Sequence, residues 1–130
     1  MSDRMNDRFH QRRWESATTK VGAKATNTIT VNVQLLNYSG QNLDHAACFL
    51  AYLSSDSQGL TPRTTSGSLS NAAGTNGALQ ELATDNPYLC TTNASGQMDF
   101  AVTESTGGTT HYLNIITPWG DIITSGALAF

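Results

Sequence analysis

The chain has 130 residues, a length that suits one domain with a single hydrophobic core. Charged residues make up only 13% of it, about half the usual share, so neutral hydroxyl and amide groups should dominate the surface. No apolar run approaches the roughly 18 residues of a membrane span, and the charge-rich start lacks the apolar stretch of a signal peptide. We therefore expect a protein made in the cytoplasm that has no membrane partner.

The net charge of −3 hides a basic start and an acidic remainder. Residues 1–24 carry six cations and three acids, whereas the other 106 residues carry one cation and seven acids. This division indicates a basic arm that contacts a partner, the alternative being a solvated tail without a specific role. Nucleic acid is not the expected partner, because the acidic body repels phosphate and its aromatic residues do not alternate with cations.

Residues 1–25 form this N-terminal arm. Met1, Met5 and Phe9 recur every four residues, as do the arginines at 4, 8 and 12, which is the period of a short amphipathic helix. Such a short helix is marginal in water, so docking would order it. Residues 16–26 have the small side chains of a flexible linker. The residues predicted to bind a partner are Arg4, Met5, Arg8, Phe9, Arg12, Arg13 and Trp14, the alternative being that the aromatic side chains fold back onto the chain's own body.

Strand patterning begins at residue 28. Residues 28–35 alternate strictly between polar and apolar, which predicts a half-buried strand, and residues 46–53 are apolar on both faces, which predicts a central strand. Residues 60–77 indicate a long surface loop with one short strand near 68–69. Further strands are expected at 78–82, 88–92, 98–102, 112–117 and 122–130, with a hairpin turn at 93–96 and the C-terminus paired into the sheet.

Seven or eight short strands without a helix predict an all-β fold. We expect residues 26–130 to form a single antiparallel β-sandwich, immunoglobulin-like or jelly roll, with residues 1–25 as an extended arm. A small closed barrel is the alternative architecture.

No catalytic motif is present, so we expect neither enzymatic activity nor a catalytic, cofactor-binding or metal-binding residue. A zinc set of His45, Cys48, Cys90 and His111 can be drawn, but His45 and Cys48 would point to opposite faces of a regular strand. A Cys48–Cys90 disulfide stays open, although free thiols are the expectation in a reducing compartment. The alternative from the enzyme class is a small hydrolase or metal-dependent enzyme that uses His45 or His111.

The order of motifs along the body resembles a group of small tailed-bacteriophage virion proteins with immunoglobulin-like β-sandwich domains. The resemblance covers about residues 28–130, and the order and spacing of the motifs carry it rather than any single one. The segments concerned are 31–35 (VNVQL), 51–56 (AYLSSD), the turn 93–96 (NASG) before 99–104 (DFAVTE), 112–115 (YLNI), 118–122 (PWGDI) and 125–130 (SGALAF).

The resemblance implies a non-enzymatic structural role in the virion. Such proteins decorate or cement the capsid or mount fibres, and they often form trimers. The implied partners are the major capsid protein or another virion protein, to which the arm would clip, together with further copies of the chain. The alternative is a receptor- or carbohydrate-binding module of a phage tail or head fibre, in which Tyr38, Tyr88 and Trp119 would stack on sugars.

Overall fold

The computed structural model describes residues 14–62, 67–72, 76–82 and 87–130, which form β-strands and no helix. The all-β prediction is confirmed, and two antiparallel sheets account for every strand found in these ranges. None of the described residues belongs to a helix long and apolar enough to cross a membrane. The ten strands within these ranges are β1 (Trp14–Ala25), β2 (Thr28–Asn37), β3 (Cys48–Ser54), β4 (Ser68–Asn71), β5 (Ala78–Glu81), β6 (Tyr88–Thr91), β7 (Gln97–Thr103), β8 (Thr110–Ile116), β9 (Ile122–Thr124) and β10 (Leu128–Ala129).

The first sheet has the strand order β1-β2-β7-β4, and the second has the order β10-β8-β3-β6-β5. In the second sheet β9 pairs with β8 on the side away from β3, next to β10. Each sheet turns one face, its inner face, toward a shared core and leaves an outer face toward solvent. The predicted central strand at residues 46–53 is confirmed, since β3 lies between β6 and β8.

Strict alternation in β2 builds the first sheet's half of the core. Ile29, Val31, Val33 and Leu35 are all buried, and the residues between them face outward, because successive side chains of a strand point to opposite faces. Phe100 of β7 lies opposite Val31 and meets the second sheet's Phe49 edge-on, with ring centroids 6.2 Å apart. Aromatic pairs favour this geometry.

The linker predicted at residues 16–26 is wrong for most of its length. Trp14–Ala25 forms β1, which pairs antiparallel with β2 through a two-residue connection at Thr26 and Asn27. The Ser, Ala, Thr, Lys and Gly residues of this segment carry little hydrophobic signal, yet Ala17 and Val21 pack against the core. The strongly patterned neighbour β2 therefore imposes the strand, as expected where tertiary pairing outweighs local propensity.

Besides the unexpected β1, the structure differs from the prediction at the 93–96 turn and in the final segment, whose division into β9 and β10 brings the strands in the described ranges to ten. Residues 93–96 do form a turn, but it is not a hairpin, because β6 pairs with β3 and β5 whereas β7 pairs with β2 and β4. The final segment is divided at Ser125, whose hydroxyl accepts the Leu113 backbone N–H at 3.0 Å. The C-terminus is nevertheless paired, through Leu128 and Ala129 against β8.

The long strand β1 leaves one edge of the first sheet open. Its pairing with β2 shifts register between Trp14 and Ser16 and again between Val21 and Lys24, and its outward side carries Lys20. Bulges and lysines on an edge strand discourage pairing with another chain. This edge is therefore protected against uncontrolled strand addition.

Candidate functional site

The predicted partner-binding residues divide at Trp14. Arg4, Met5, Arg8, Phe9, Arg12 and Arg13 lie outside the described residues. Trp14 is 6% exposed, meets Phe49 edge-on at 6.1 Å and donates its indole N–H to the Cys48 carbonyl at 3.2 Å. Its assignment as a docking residue is corrected, because a side chain already buried in its own core has little apolar area left to give a partner.

An apolar row crosses the outer face of the second sheet. Leu89, Leu50, Ile116 and Ile122 are successive register partners on β6, β3, β8 and β9, so their side chains share that face. Leu89 is 37% exposed and Ile122 is 42% exposed, while Leu50 and Ile116 are half-buried. We call these four residues the apolar strip.

A tight turn holds a second tryptophan beside the strip. The Thr117 hydroxyl accepts the backbone N–H groups of Trp119 and Asp121, and the Gly120 N–H bonds the Thr117 carbonyl. Trp119 is 51% exposed, and its indole N–H donates to the Glu15 carboxylate at 2.6 Å. The turn at the end of β8 is thus tied to the start of β1.

The strip continues into a shallow groove of about 310 Å³ at the point where β1 begins. Leu50, Leu89 and Ile116 line it from the strip, and Pro118 lines it from the turn. Trp14 also lines it, so the undescribed N-terminal tail (residues 1–13) joins the described fold at this groove. The described part of the fold therefore has its first residue, Trp14, beside an apolar surface.

The outer face of the first sheet has the opposite chemistry. Its cross-strand pairs join Gln34 to Gln97 and Asn32 to Asp99, and farther along Thr28 to Thr103, whose hydroxyl oxygens are 3.4 Å apart. On β1, Thr18 pairs with Gln34 and Lys20 with Asn32. A groove of about 430 Å³ lies on this face and has mostly amide, hydroxyl and charged side chains along it. The lining residues are Thr18, Thr19, Lys20, Asn32, Val33, Gln34, Asn76, Gln97 and Asp99.

Asp99 organises this polar groove, although it is only 7% exposed. One carboxylate oxygen accepts the Asn32 amide N–H at 2.6 Å, and the other accepts the Asn76 amide N–H at 3.1 Å. Asn93 donates to the amide oxygens of Asn76, at 2.8 Å, and Gln97, at 3.2 Å. A buried carboxylate is costly unless such bonds satisfy it, so the network secures the groove as well as the fold.

The histidines and cysteines are dispersed. His111 is fully buried beside Phe130 with its Nε2 3.7 Å from a Glu104 carboxylate oxygen, whereas His45 lies next to Asp44 at the surface. No three His, Cys, Asp or Glu side chains converge as a metal site among the described residues.

The two cysteines do not form a disulfide. Cys48 faces outward opposite Thr91, and Cys90 faces the core opposite Phe49, so the thiols occupy opposite faces of the sheet and both are free. Burial raises the pKa of the Cys90 thiol to about 12.

The three aromatic residues considered for sugar stacking do not form one platform. Tyr88 is buried in the core, and its hydroxyl accepts the Leu69 backbone N–H at 3.4 Å. Tyr38 and Trp119 are exposed, but they project from different turns, one after β2 and the other after β8. Asp56 stabilises its own loop, because its carboxylate accepts the backbone N–H groups of Gln58, Leu60 and Thr61, and its pKa is lowered mainly by the bond from Leu60.

No family model, curated protein or solved structure matches the chain. The apolar strip and the polar groove are both features that sequence reasoning missed. Each consists of ordinary alternating positions on separate strands, and only the pairing register brings Leu50 to Leu89 or Asn32 to Asp99. For the apolar strip, the sequence signal was an apolar residue at an outward position in each of several strands. This signal does not reveal which strands are neighbours in the sheet.

Proposed function

We propose that this protein is a non-enzymatic virion structural protein that binds the capsid surface as a decoration or cement protein. The observation that carries the proposal is the apolar strip, together with the position of Trp14, the first described residue, at the groove beside it. The partner is the major capsid protein or another virion protein, and the tail clips the body to neighbouring capsid subunits.

The exposed apolar side chains support protein docking. Trp119, Ile122 and Leu89 each leave a third or more of their surface in water, and all lie on or beside the outer face of one sheet. Apolar groups concentrated in this way mark interaction sites more often than scattered ones do. Tryptophan is also among the residues that contribute most to binding free energy when an interface buries it.

The tail adds a second, chemically different contact. Arg4, Arg8, Arg12 and Arg13 can pair bidentately with carboxylates of an acidic shell protein. Met5 and Phe9 can add apolar area to the contact made by the groove that Trp14 lines. A stable interface involves roughly 20–30 residues on each side. The four residues of the apolar strip fall well short of that number, and the tail supplies further contact residues.

The resemblance to trimeric decoration proteins supports a trimer in this proposal. Strand addition through β1 is an unfavourable way to assemble it, since the bulges and Lys20 protect that edge. The second candidate function, a receptor- or carbohydrate-binding module of a phage fibre, is favoured by the polar groove of the first sheet.

The decisive experiment is co-sedimentation with capsids of the phage that encodes this protein, purified so that the capsids lack it. Three proteins are compared. They are the full chain, a deletion of residues 1–13, and the full chain with Leu89→Ser and Ile122→Ser. We expect the full chain to pellet with capsids and both variants to remain largely in the supernatant. The deletion stops before Trp14 because removing residues 1–25 would also remove β1 from the first sheet.

The matched control is Thr103→Ala, an exposed change on the outer face of the first sheet, which should pellet like the full chain. Light scattering on the same samples measures the number of copies per particle in solution. If all the variants pellet equally, or if the full chain stays in the supernatant, the proposal that the tail and the apolar strip bind the capsid is wrong.

A further inference from the structure

The polar groove on the first sheet has no role in capsid docking as proposed above. It lies on the outer face of the first sheet, whereas the apolar strip lies on the outer face of the second, on the other side of the sandwich. Its volume of about 430 Å³ falls within the range of small-molecule sites. Such sites are usually lined mainly by apolar side chains, whereas every residue lining this groove except Val33 carries an amide, hydroxyl or charged group, which indicates a ligand with many polar groups of its own.

The hydrogen-bond network determines which atoms remain for a ligand. An ionised carboxylate only accepts, so Asp99 holds the amino groups of Asn32 and Asn76 toward itself. This orientation leaves Oδ1 of Asn32 as an acceptor. Gln97 uses its Oε1 to accept from Asn93, which leaves its Nε2 as a donor. The groove thus offers acceptors and donors whose directions are set in advance.

The charges in the groove favour a neutral ligand. The Lys20 ammonium and the Asp99 carboxylate have opposite signs, and the other polar side chains lining the groove are amides and threonines. A phosphate or sulfate would meet the Asp99 carboxylate, and a cation would meet Lys20. A neutral molecule with many hydroxyls avoids both costs, because each hydroxyl can donate to Asn32 Oδ1 and accept from Gln97 Nε2 or Lys20.

A peptide fits this place less well. Extended peptides gain most of their affinity from the backbone groups of a free sheet edge. The groove instead runs over the side chains of β1, β2 and β7, where β2 has its backbone paired on both sides. Recognition here has to come from side-chain amides and hydroxyls, as recognition of a sugar does.

We propose that the polar groove is a saccharide-binding site, in which Asn32, Gln97 and Lys20 contact the hydroxyls of a neutral sugar and Asp99 positions the amide of Asn32. Preorganised polar groups lose little entropy when a ligand arrives, which suits the small binding free energy of a sugar. The site stands apart from capsid binding, since it uses the other face of the sandwich and can be tested on the isolated protein.

The test is a titration of the full-length isotope-labelled protein, followed through its backbone amide resonances, with neutral trisaccharides of glucose, mannose, galactose and N-acetylglucosamine. We expect at least one of them to shift resonances of β1, β2 and β7 around the groove with millimolar or better affinity. Thr18→Trp should then weaken that saccharide at least about tenfold, or about 1.4 kcal/mol, by filling the groove at an exposed strand position without touching the Asp99 network.

Thr103→Trp is the matched control, because it adds the same side chain to the same outer face away from the groove. It should leave the affinity unchanged, and both variants should unfold at nearly the temperature of the parent. The proposal is overturned if none of the trisaccharides shifts the groove resonances. It is equally overturned if binding survives Thr18→Trp, or if a blocked neutral peptide binds in the groove and the sugars do not. None of these outcomes depends on whether the protein pellets with capsids.

Discussion

The two outer faces of this sandwich are built on the same strand geometry and have opposite chemistry. The first sheet presents threonines, amides and one networked carboxylate, and every residue lining its groove except Val33 has a polar or charged side chain. The second presents the Leu89–Leu50–Ile116–Ile122 row, with Trp119 and the start of β1 next to it. The inner faces of both sheets share one apolar core.

This contrast separates the demands of folding from those of binding. Folding requires that inward positions be mainly apolar, as Val31 in the first sheet and Ile115 in the second are, with the buried His111 as an exception. Outward positions are free to differ, because water tolerates polar side chains there and a few apolar ones cost little. The chemistry of the outer faces therefore carries the information about partners.

The largest expected effect is on stability, and it tests whether Trp14 is buried in the core beneath the apolar face. Trp14→Ala should lower the free energy of unfolding by about 3–5 kcal/mol, because it removes a buried indole that contacts Phe49. Chemical denaturation measures it. Trp119→Ala is the matched control at the exposed tryptophan and should change stability by about 0.5 kcal/mol or less. Equal losses for the two tryptophans would contradict the placement of Trp14 in the core.

The next effect concerns the polar face. Asp99→Ala should cost about 1–3 kcal/mol, since the amide groups of Asn32 and Asn76 would both lose their acceptor. Asp121→Ala, at an exposed position, serves as the control and should be nearly neutral. Thermal unfolding of the two variants distinguishes them. A neutral Asp99→Ala would mean that the network does not hold the polar groove.

A smaller change in stability is expected on the apolar face. Leu89→Ser and Ile122→Ser should each alter the free energy of unfolding by about 0.5 kcal/mol, because both side chains are already partly in water. Their combination should nevertheless abolish most capsid binding. A large loss of stability would show instead that the strip belongs to the fold, and the capsid proposal would lose its main support.

The smallest expected effect is a difference in reactivity between the two cysteines, which lie on opposite faces of the sheet that contains β3 and β6. At mildly alkaline pH iodoacetamide should modify Cys48 and spare Cys90, whose thiol is buried and has a pKa raised to about 12, and mass spectrometry counts the adducts. Because the folded pKa lies above the ordinary 9.0, stability from this thiol is present below pH 9 and is lost as the pH rises toward 12. Cys90→Ala should remove that part of the pH dependence. Two adducts on the folded protein would contradict the burial of Cys90.

Much of the architecture could be predicted from local patterns. The strict alternation at residues 28–35 and the doubly apolar run at 46–53 identify β2 and the central β3 without any knowledge of their neighbours. β1 could not be predicted in this way, because its Thr, Ala and Gly residues form a strand only against β2. The turn at 93–96 was predictable as a turn, but not as the connection between two sheets, since Asn93 forms similar local hydrogen bonds in either case.

By itself the sequence determined that the chain is all-β with a basic start, because a period of two and a count of charges are local properties, whereas the choice of a two-sheet sandwich over a closed barrel came from the tertiary structure. Tertiary structure alone decided that Trp14 belongs to the core and that Leu50 meets Leu89 and Ile116. It also decided that Asp99 lies between Asn32 and Asn76. These contacts depend on strand order and register, and register is set jointly by all the strands of a sheet, so no single strand encodes it.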